Sequence, residues 1–409
     1  MEGITSWHTR KVIYAGPVLV AGISCRIGLM IALLMSLQGA TAQKTQANST
    51  GNCHVGTYRL SDGRDVDVAP DDEYLQWRMK DGTTGELTPT TDGSWFSTLG
   101  MTRRPDGKRV SFGDCTTGKI RFDGVEGHRI AFDVFETSLG TGASSGKFTH
   151  DYLTLSDDAV AAMREAKRLA GVRAQRIGYL GTSQGGWVAP LAAKIEAVDF
   201  VMVAYGLAIS PLDEDRSCLA LDLTRRGYGA DALAKAMEIA DATSVVLLSD
   251  FREGYDQVEA VRQKYEKEPW FPLLHGNVSF LILQHPSAEL KELGPTLFPG
   301  APLQYDPMPV LRNLRTPQLW LLGEDDIDAP SSETAARLRV LAASGSPITT
   351  TMFRGAEHGM YEYEVAPDGT RRSTRQPEGY FRMMVDFVRD GRLHGSYGDL
   401  VSNTERGAM

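Results

Sequence analysis

The sequence predicts an α/β fold: a mostly parallel sheet carrying a helical lid insertion, with a small all-β module in front of it. Three observations predict it. Between residues 54 and 127 the chain runs in short strand-like segments punctuated by Asp-Gly pairs. From about residue 129 strand and helix patterns alternate, as a mostly parallel sheet requires. The alternation is interrupted once, at residues 206–306, by a charged and mostly helical stretch.

The first element is expected to lie outside that fold. Residues 27–37 (IGLMIALLMSL) form an apolar run of signal-peptide length, too short to span a bilayer comfortably. Arg10, Lys11 and Arg26 precede it, and Ala40-Thr41-Ala42 after it is a small-residue cleavage pattern. Residues 1–42 are therefore expected to be a secretory leader, with a periplasmic or secreted mature chain and no stable membrane span in it. The alternative is an uncleaved anchor over residues 12–37, which Arg26 in its middle makes costly.

Export permits disulfides. Cys53 and Cys115 both fall in the N-terminal module and can pair, leaving Cys218 as a lone buried thiol; three free thiols are the alternative. No CxxC pair or His/Cys cluster has metal-ligand spacing, so neither metal nor cofactor is expected. A net charge of −9 argues against a non-specific nucleic-acid binder, which needs a basic surface.

The module, residues 43–127, is expected to hold strands at 55–60, 75–79, 85–88, 95–98, 109–112 and 119–122. Asp62-Gly63, Asp81-Gly82, Asp92-Gly93 and Asp106-Gly107 should turn the chain between them. It carries no catalytic constellation. The second domain, residues 128–400, should begin with a strand at 129–135 and an amphipathic helix at 157–170 that Gly171 ends. Strands at 177–180 and 200–204 flank a helix at 186–194. Past the insertion come strands at 318–322 and 348–353 and helices at 333–344 and 379–389. Trp270, Phe271, Leu273, Leu274 and Phe280 in the insertion should mostly pack the lid itself.

Gly181-Thr182-Ser183-Gln184-Gly185 fits G-x-S-x-G, between a short apolar strand and a helix. That context makes a nucleophile elbow. The turn would lift the Ser183 hydroxyl to the top of the sheet and aim the Gln184 N–H at a developing oxyanion. A serine needs a base and an orienter. Asp326 lies in the acidic loop after the 318–322 strand and is the first choice for orienter, ahead of Asp325 and Asp328. His358 lies in a glycine-flanked loop after the 348–353 strand and is the expected base. His54, His128, His150, His275 and His285 have no such context.

On these residues the chain resembles the α/β-hydrolase superfamily. It is most similar to secreted serine hydrolases related to esterase D-type carboxylesterases and to the serine aminopeptidase and prolyl oligopeptidase clan. The resemblance spans about residues 140–389, anchored by GTSQGG at 181–186, GEDDIDAP at 323–330 and GAEHG at 355–359. It implies a Ser-His-Asp acyl-enzyme mechanism acting on carboxylic esters, with a small ester or short peptide as the partner. A peptidase is the alternative; Asp213-Glu214-Asp215 would then meet a free amine, although the run also reads as a solvated helix start.

The resemblance breaks at one place. GTGASSG at 140–146 resembles the turn after the family's fourth core strand. The strand–helix–strand unit expected ahead of it, about 35 to 60 residues with the His-Gly loop that gives a second oxyanion donor, is not found. Either residues 129–139 replace a core strand and an N–H near Gly140 or Thr141 supplies the donor, or the oxyanion hole is half built. The second case would fit a degenerate homologue that binds without turnover.

Overall fold

The computed structural model describes residues 18–24, 52–70, 75–131, 149–274 and 276–404. Strand β1 (Val18–Ser24) comes first and joins the large sheet described below. Next come β2 (Gly56–Leu60), β3 (Asp65–Pro70), β4 (Leu75–Met79), β5 (Thr84–Pro89), β6 (Trp95–Thr98), β7 (Pro105–Phe112), β8 (Lys119–Phe122) and β9 (Val125–Ala131). Each pairs antiparallel with the next, and β9 returns to β2, so the all-β module is a closed barrel.

Alternation explains the barrel. Val66 and Val68 of β3 point inward between half-buried Asp65 and Asp67, and Tyr58, Leu60, Trp77, Leu87, Ile120 and Phe122 fill the interior. A barrel this small is packed with side chains and leaves no channel. Trp77 Nε1 finds its acceptor inside, donating to Ser97 Oγ at 2.8 Å. Three of the four Asp-Gly pairs sit in hairpin turns. Gly107 instead lies within β7 at φ 84°, so the fourth pair bends a strand and does not end it. Cys53 and Cys115 are joined in a disulfide.

Helix α1 (Tyr152–Ala170) starts at an Asp151 cap, whose side chain accepts from Thr154 N. Then follow β10 (Arg176–Thr182), α2 (Gly185–Ile195) and β11 (Phe200–Ala204). The lid comprises α3 (Pro211–Arg225), α4 (Ala230–Leu248), α5 (Tyr255–Tyr265), α6 (Ser279–Gln284) and α7 (Ser287–Leu297). After it come α8 (Met308–Asn313), β12 (Gln318–Gly323), α9 (Ser331–Ala343) and β13 (Ile348–Phe353). The chain ends with β14 (Ala356–Glu357), β15 (Tyr361–Val365), β16 (Arg371–Arg375), α10 (Tyr380–Asp390) and β17 (Leu400–Thr404).

Among the described residues the large sheet runs β1-β10-β11-β12-β13-β17, parallel throughout except for β17 at its edge. All residues of β11 and β12 are buried, as strands covered on both faces must be. Tyr179, Val201, Val203 and Trp320 pack under α1, α2 and α9, while Phe200, Met202, Leu319 and Leu321 pack against α10. This is the mostly parallel α/β sheet with a helical lid that the sequence predicts.

Two placements differ from expectation. Residues 129–131 close the barrel as part of β9, so the strand expected at 129–135 does not open the second domain; residues 132–148 lie outside the described residues. The sheet strand beside β10 is β1 instead, paired in register from Val18↔Arg176 to Ser24↔Thr182. It comes from the stretch expected as a leader, and the rest of that stretch lies outside the described residues. Among the described residues no helix is long and apolar enough to cross a membrane.

The lid has its own core. Trp270 and Leu274 are buried there with Leu219, Ile239 and Val246, and Phe271 packs on its edge. The barrel docks on the β15–β16 hairpin: Gln376 N donates to Gly82 O at 2.9 Å and Met101 N to Ser373 O at 2.9 Å. Arg375 reaches the Asp81 carbonyl at 2.6 Å.

The Cys53–Cys115 bond closes a loop of 62 residues. By chain entropy that length stabilises by about 4 kcal/mol. Cys115→Ser should lower the thermal unfolding midpoint of the barrel by several degrees, and reductant should lower the native protein's to match. A melt unchanged by either would contradict this.

Candidate active site

The sheet delivers three loops to one edge. β10, β11, β12 and β13 are parallel neighbours, so the turns leaving their C-terminal ends lie side by side. The elbow follows β10, the acid loop follows β12, and the His loop follows β13 and β14.

At the elbow Ser183 sits at φ 51°, a left-handed conformation that costs a serine about 1–3 kcal/mol. The surroundings enforce it. Ser183 N donates to Ala204 O at 3.1 Å, and Gly186 N donates back to Ser183 O at 2.8 Å. A Cβ on Gly181 would lie 2.0 Å from the Gly185 carbonyl oxygen. One on Gly186 would meet the Gly206 Cα at 2.9 Å. Only glycine lets strand, turn and helix approach this closely.

His358 Nε2 lies 3.1 Å from Ser183 Oγ. Its Nδ1 lies 3.0 Å from Asp326 Oδ2 and 3.2 Å from Oδ1. A carboxylate can only accept, so Nδ1 carries the proton and Nε2 is free to accept from the serine hydroxyl. The Tyr205 ring packs against the imidazole in a T-shaped pair, with ring centroids 4.8 Å apart. Asp326 is 1% exposed and also accepts from Asp328 N at 3.0 Å and Ala329 N at 2.7 Å.

Burial pushes the Asp326 carboxyl up, against the charge and hydrogen bond of His358. Burial alone would lower the His358 pKa, but the charge and hydrogen bond of Asp326 outweigh it and raise it to about 9.

The structure thus brings Ser183, Asp326 and His358 into one hydrogen-bonded chain. Asp325 and Asp328 take other places. Asp325 pairs with Arg225 at 2.5 Å and accepts from the Tyr363 hydroxyl at 3.0 Å, while the Asp328 side chain is exposed. The Gln184 N–H stands ahead of the first turn of α2 and makes no backbone hydrogen bond among the described residues. Gly140 and Thr141, the expected places for a second donor, lie outside the described residues.

Three residues near the site are buried where no local pattern predicts it. His150 Nδ1 is 3.2 Å from the Gln184 side-chain Nε2, and both residues are 2% exposed. His150 also bonds to the Leu297 backbone, and its own N–H donates to Pro299 O at 2.8 Å, so it ties the elbow to the end of the lid. No local pattern marks it. Glu214 and Asp215 are also buried, not solvated as a helix start would be. Asp215 accepts from Val278 N, Ser279 N and Ser279 Oγ. Burial raises the Glu214 carboxyl well above the usual range; the His358 charge opposes this, and the Asp326 and Asp215 charges add to it.

Cys53, His54 and Cys115 come within ligand distance of one another. Both sulfurs are in the disulfide, so no thiolate is available there to bind a metal.

No protein-family model and no curated protein matches the chain. Among solved structures it is similar to a thermophilic esterase from Thermogutta terrifontis, at 19% identity over 57% of this chain and 72% of that one, with a TM-score of 0.29. It is similar to a monoacylglycerol lipase from Paleococcus ferrophilus, at 19% identity over 63% and 81%, with a TM-score of 0.30. A membrane phospholipase A described as a bacterial virulence factor is 16% identical over 64% and 72%, with a TM-score of 0.33. Scores this low carry no argument about activity. The α/β-hydrolase-type fold rests on the strand order and on the positions of the elbow, acid and histidine loops within it.

His150 is held neutral, its pKa lowered to about 4 by burial. The unfolded chain takes up that proton near the ordinary pKa of about 6.5. The contribution is therefore complete above pH 6.5 and lost as the pH falls through 6.5 towards 4, by up to ~3 kcal/mol. Urea unfolding across this range should show that slope, and His150→Gln should flatten it. An equal slope in the variant would remove His150 as its source.

Proposed function

We propose that the chain is a serine hydrolase that cleaves carboxylic esters through an acyl-enzyme on Ser183. The single observation that carries this is the relay from Ser183 Oγ through His358 to Asp326, at 3.1 Å and 3.0 Å. Ser183 Oγ attacks the ester carbonyl while His358 Nε2 takes its proton. The Gln184 N–H stabilises the oxyanion that forms. His358 then gives the proton to the leaving alcohol, and water repeats the sequence to release the acid. Asp326 fixes the tautomer throughout. The lid, packed on its own core, meets the acid loop through Cys218 and Asn277. The reading includes a periplasmic or secreted location, which the Cys53–Cys115 disulfide supports, because such bonds persist in oxidising compartments.

Folded protein should react with a fluorophosphonate at Ser183, and Ser183→Ala or His358→Ala should abolish the reaction. Asp326→Asn should lower ester turnover by about 10⁴, because the amide favours the wrong tautomer. Absence of labelling in folded wild type would leave the degenerate homologue as the better account. Since only neutral His358 can accept the serine proton, kcat/KM should rise with pH until about 9. A plateau already reached at pH 6 would contradict the coupling of His358 to Asp326.

One observation favours a second reading, hydrolysis of short peptides. Glu214 is buried near Asp326 and His358 and its charged form is disfavoured there, a setting that a substrate's ammonium group would relieve. Under the ester reading p-nitrophenyl esters turn over faster than aminoacyl amides, and Glu214→Gln changes both alike. Faster amide turnover, lost selectively in Glu214→Gln, would establish the peptidase instead.

A further inference from the structure

The lid reaches the triad acid through one peptide unit. Helix α3 crosses the acid loop, and Cys218 Sγ donates to the Asp328 carbonyl oxygen at 3.2 Å. Asn277 Nδ2, in the turn ahead of α6, donates to the same oxygen at 3.0 Å. That turn is fastened to α3 in its own right. Asp215 accepts from Val278 N at 2.7 Å, Ser279 N at 3.1 Å and Ser279 Oγ at 2.5 Å.

The far end of the same peptide unit is the Ala329 N–H. It donates to Asp326 Oδ1 at 2.7 Å, shorter than the bonds from Asp328 N at 3.0 Å and from His358 at 3.0 Å. The unit is trans and planar, so its oxygen and its N–H turn together. Two donors on the oxygen also polarise the N–H and strengthen what it gives to Asp326. The other tie between α3 and this loop, Arg225 with Asp325, is partly exposed on both sides and adds little.

We propose that Asn277 and Cys218 are positioning residues through which the lid holds the Asp326 carboxylate in its orientation towards His358. Neither touches substrate. With the lid seated, the Asp328–Ala329 peptide is fixed at both ends and Asp326 has one orientation. With the lid displaced, the carbonyl loses its two donors, the peptide is free to rotate, and Asp326 loses its shortest bond. Asn277 is the stronger of the two, since a thiol is a weak donor. The role assigned to Asp326 rests on the serine-hydrolase reading, but the hydrogen-bond path does not.

The test uses the full chain and two readouts. The first is the downfield Nδ1 proton of His358 by NMR, identified by its disappearance in His358→Gln. The second is the pH profile of ester hydrolysis. In the Asn277→Ala/Cys218→Ala variant the proton signal should broaden or vanish. kcat should fall ~10-fold with KM changed by less than about twofold, and the inflection should move down towards the ordinary histidine value. Cys218→Ser, which keeps a donor, should behave as wild type. Asn277→Asp removes the donor at constant volume and decides the matter if the double variant does not fold. A wild-type signal, kcat and inflection in Asn277→Asp, or in a folded double variant, would overturn the proposal. If the wild type hydrolyses nothing yet the signal responds as described, the hydrolase reading fails and the positioning role stands.

Discussion

Asp326 stands at the end of β12 with 1% of its surface exposed. An unpaired carboxylate in such a place costs several kcal/mol, so its oxygens have to be filled. They are filled by two backbone N–H groups of its own loop and by His358. Much of the site's geometry follows from that requirement. The His loop must leave the sheet at the same level as the acid loop, and the parallel register does this by pairing Gly323 with Phe353. The elbow must arrive within reach of the other ring nitrogen of the imidazole, and β10 and β11 do this by pairing Thr182 with Ala204. Ser183 keeps its strained backbone because both neighbours of the turn press on it.

The two additions to the sheet reach this centre through different loops. The barrel docks on the hairpin that follows His358, through backbone bonds from Gln376 and Met101. The lid touches the acid loop through Cys218 and Asn277, and the elbow through His150 and the 297–299 segment. Most of these contacts are buried or involve the backbone. The surface ion pairs around them, such as Arg104 with Glu364, are exposed and contribute little to holding the parts together. Precision at the relay is thus shared between the sheet, which sets the loops, and the additions, which hold them.

What was legible in the sequence was what is local. The elbow shows because glycine is demanded at fixed offsets from the serine. Asp326 and His358 show because each follows a strand, QLWLLG or ITTTMF, into a polar or glycine-flanked loop. The same logic explains the misses. Strand β3 is not legible because Asp65 and Asp67 hide the alternation of Val66 and Val68. The β15–β16 hairpin is so rich in Glu and Arg that nothing in it suggests a docking surface. The segment 125–131 fits a barrel or a sheet strand equally well, and only its pairing with β2 decides. The burial of Glu214 and Asp215, expected as a solvated helix start, and of His150, which no local pattern marks, comes from residues far along the chain, as in Asp215 with Ser279 and His150 with Pro299.

The central claim is a covalent intermediate on one residue, and mass spectrometry sees it directly. Full-length protein quenched in acid during turnover of p-nitrophenyl acetate should carry one acetyl group, on the peptide containing Ser183. That group should be gone once p-nitrophenol release is complete. An acetyl group on a different residue, or an unmodified Ser183 in folded protein exposed to excess ester, would contradict the account.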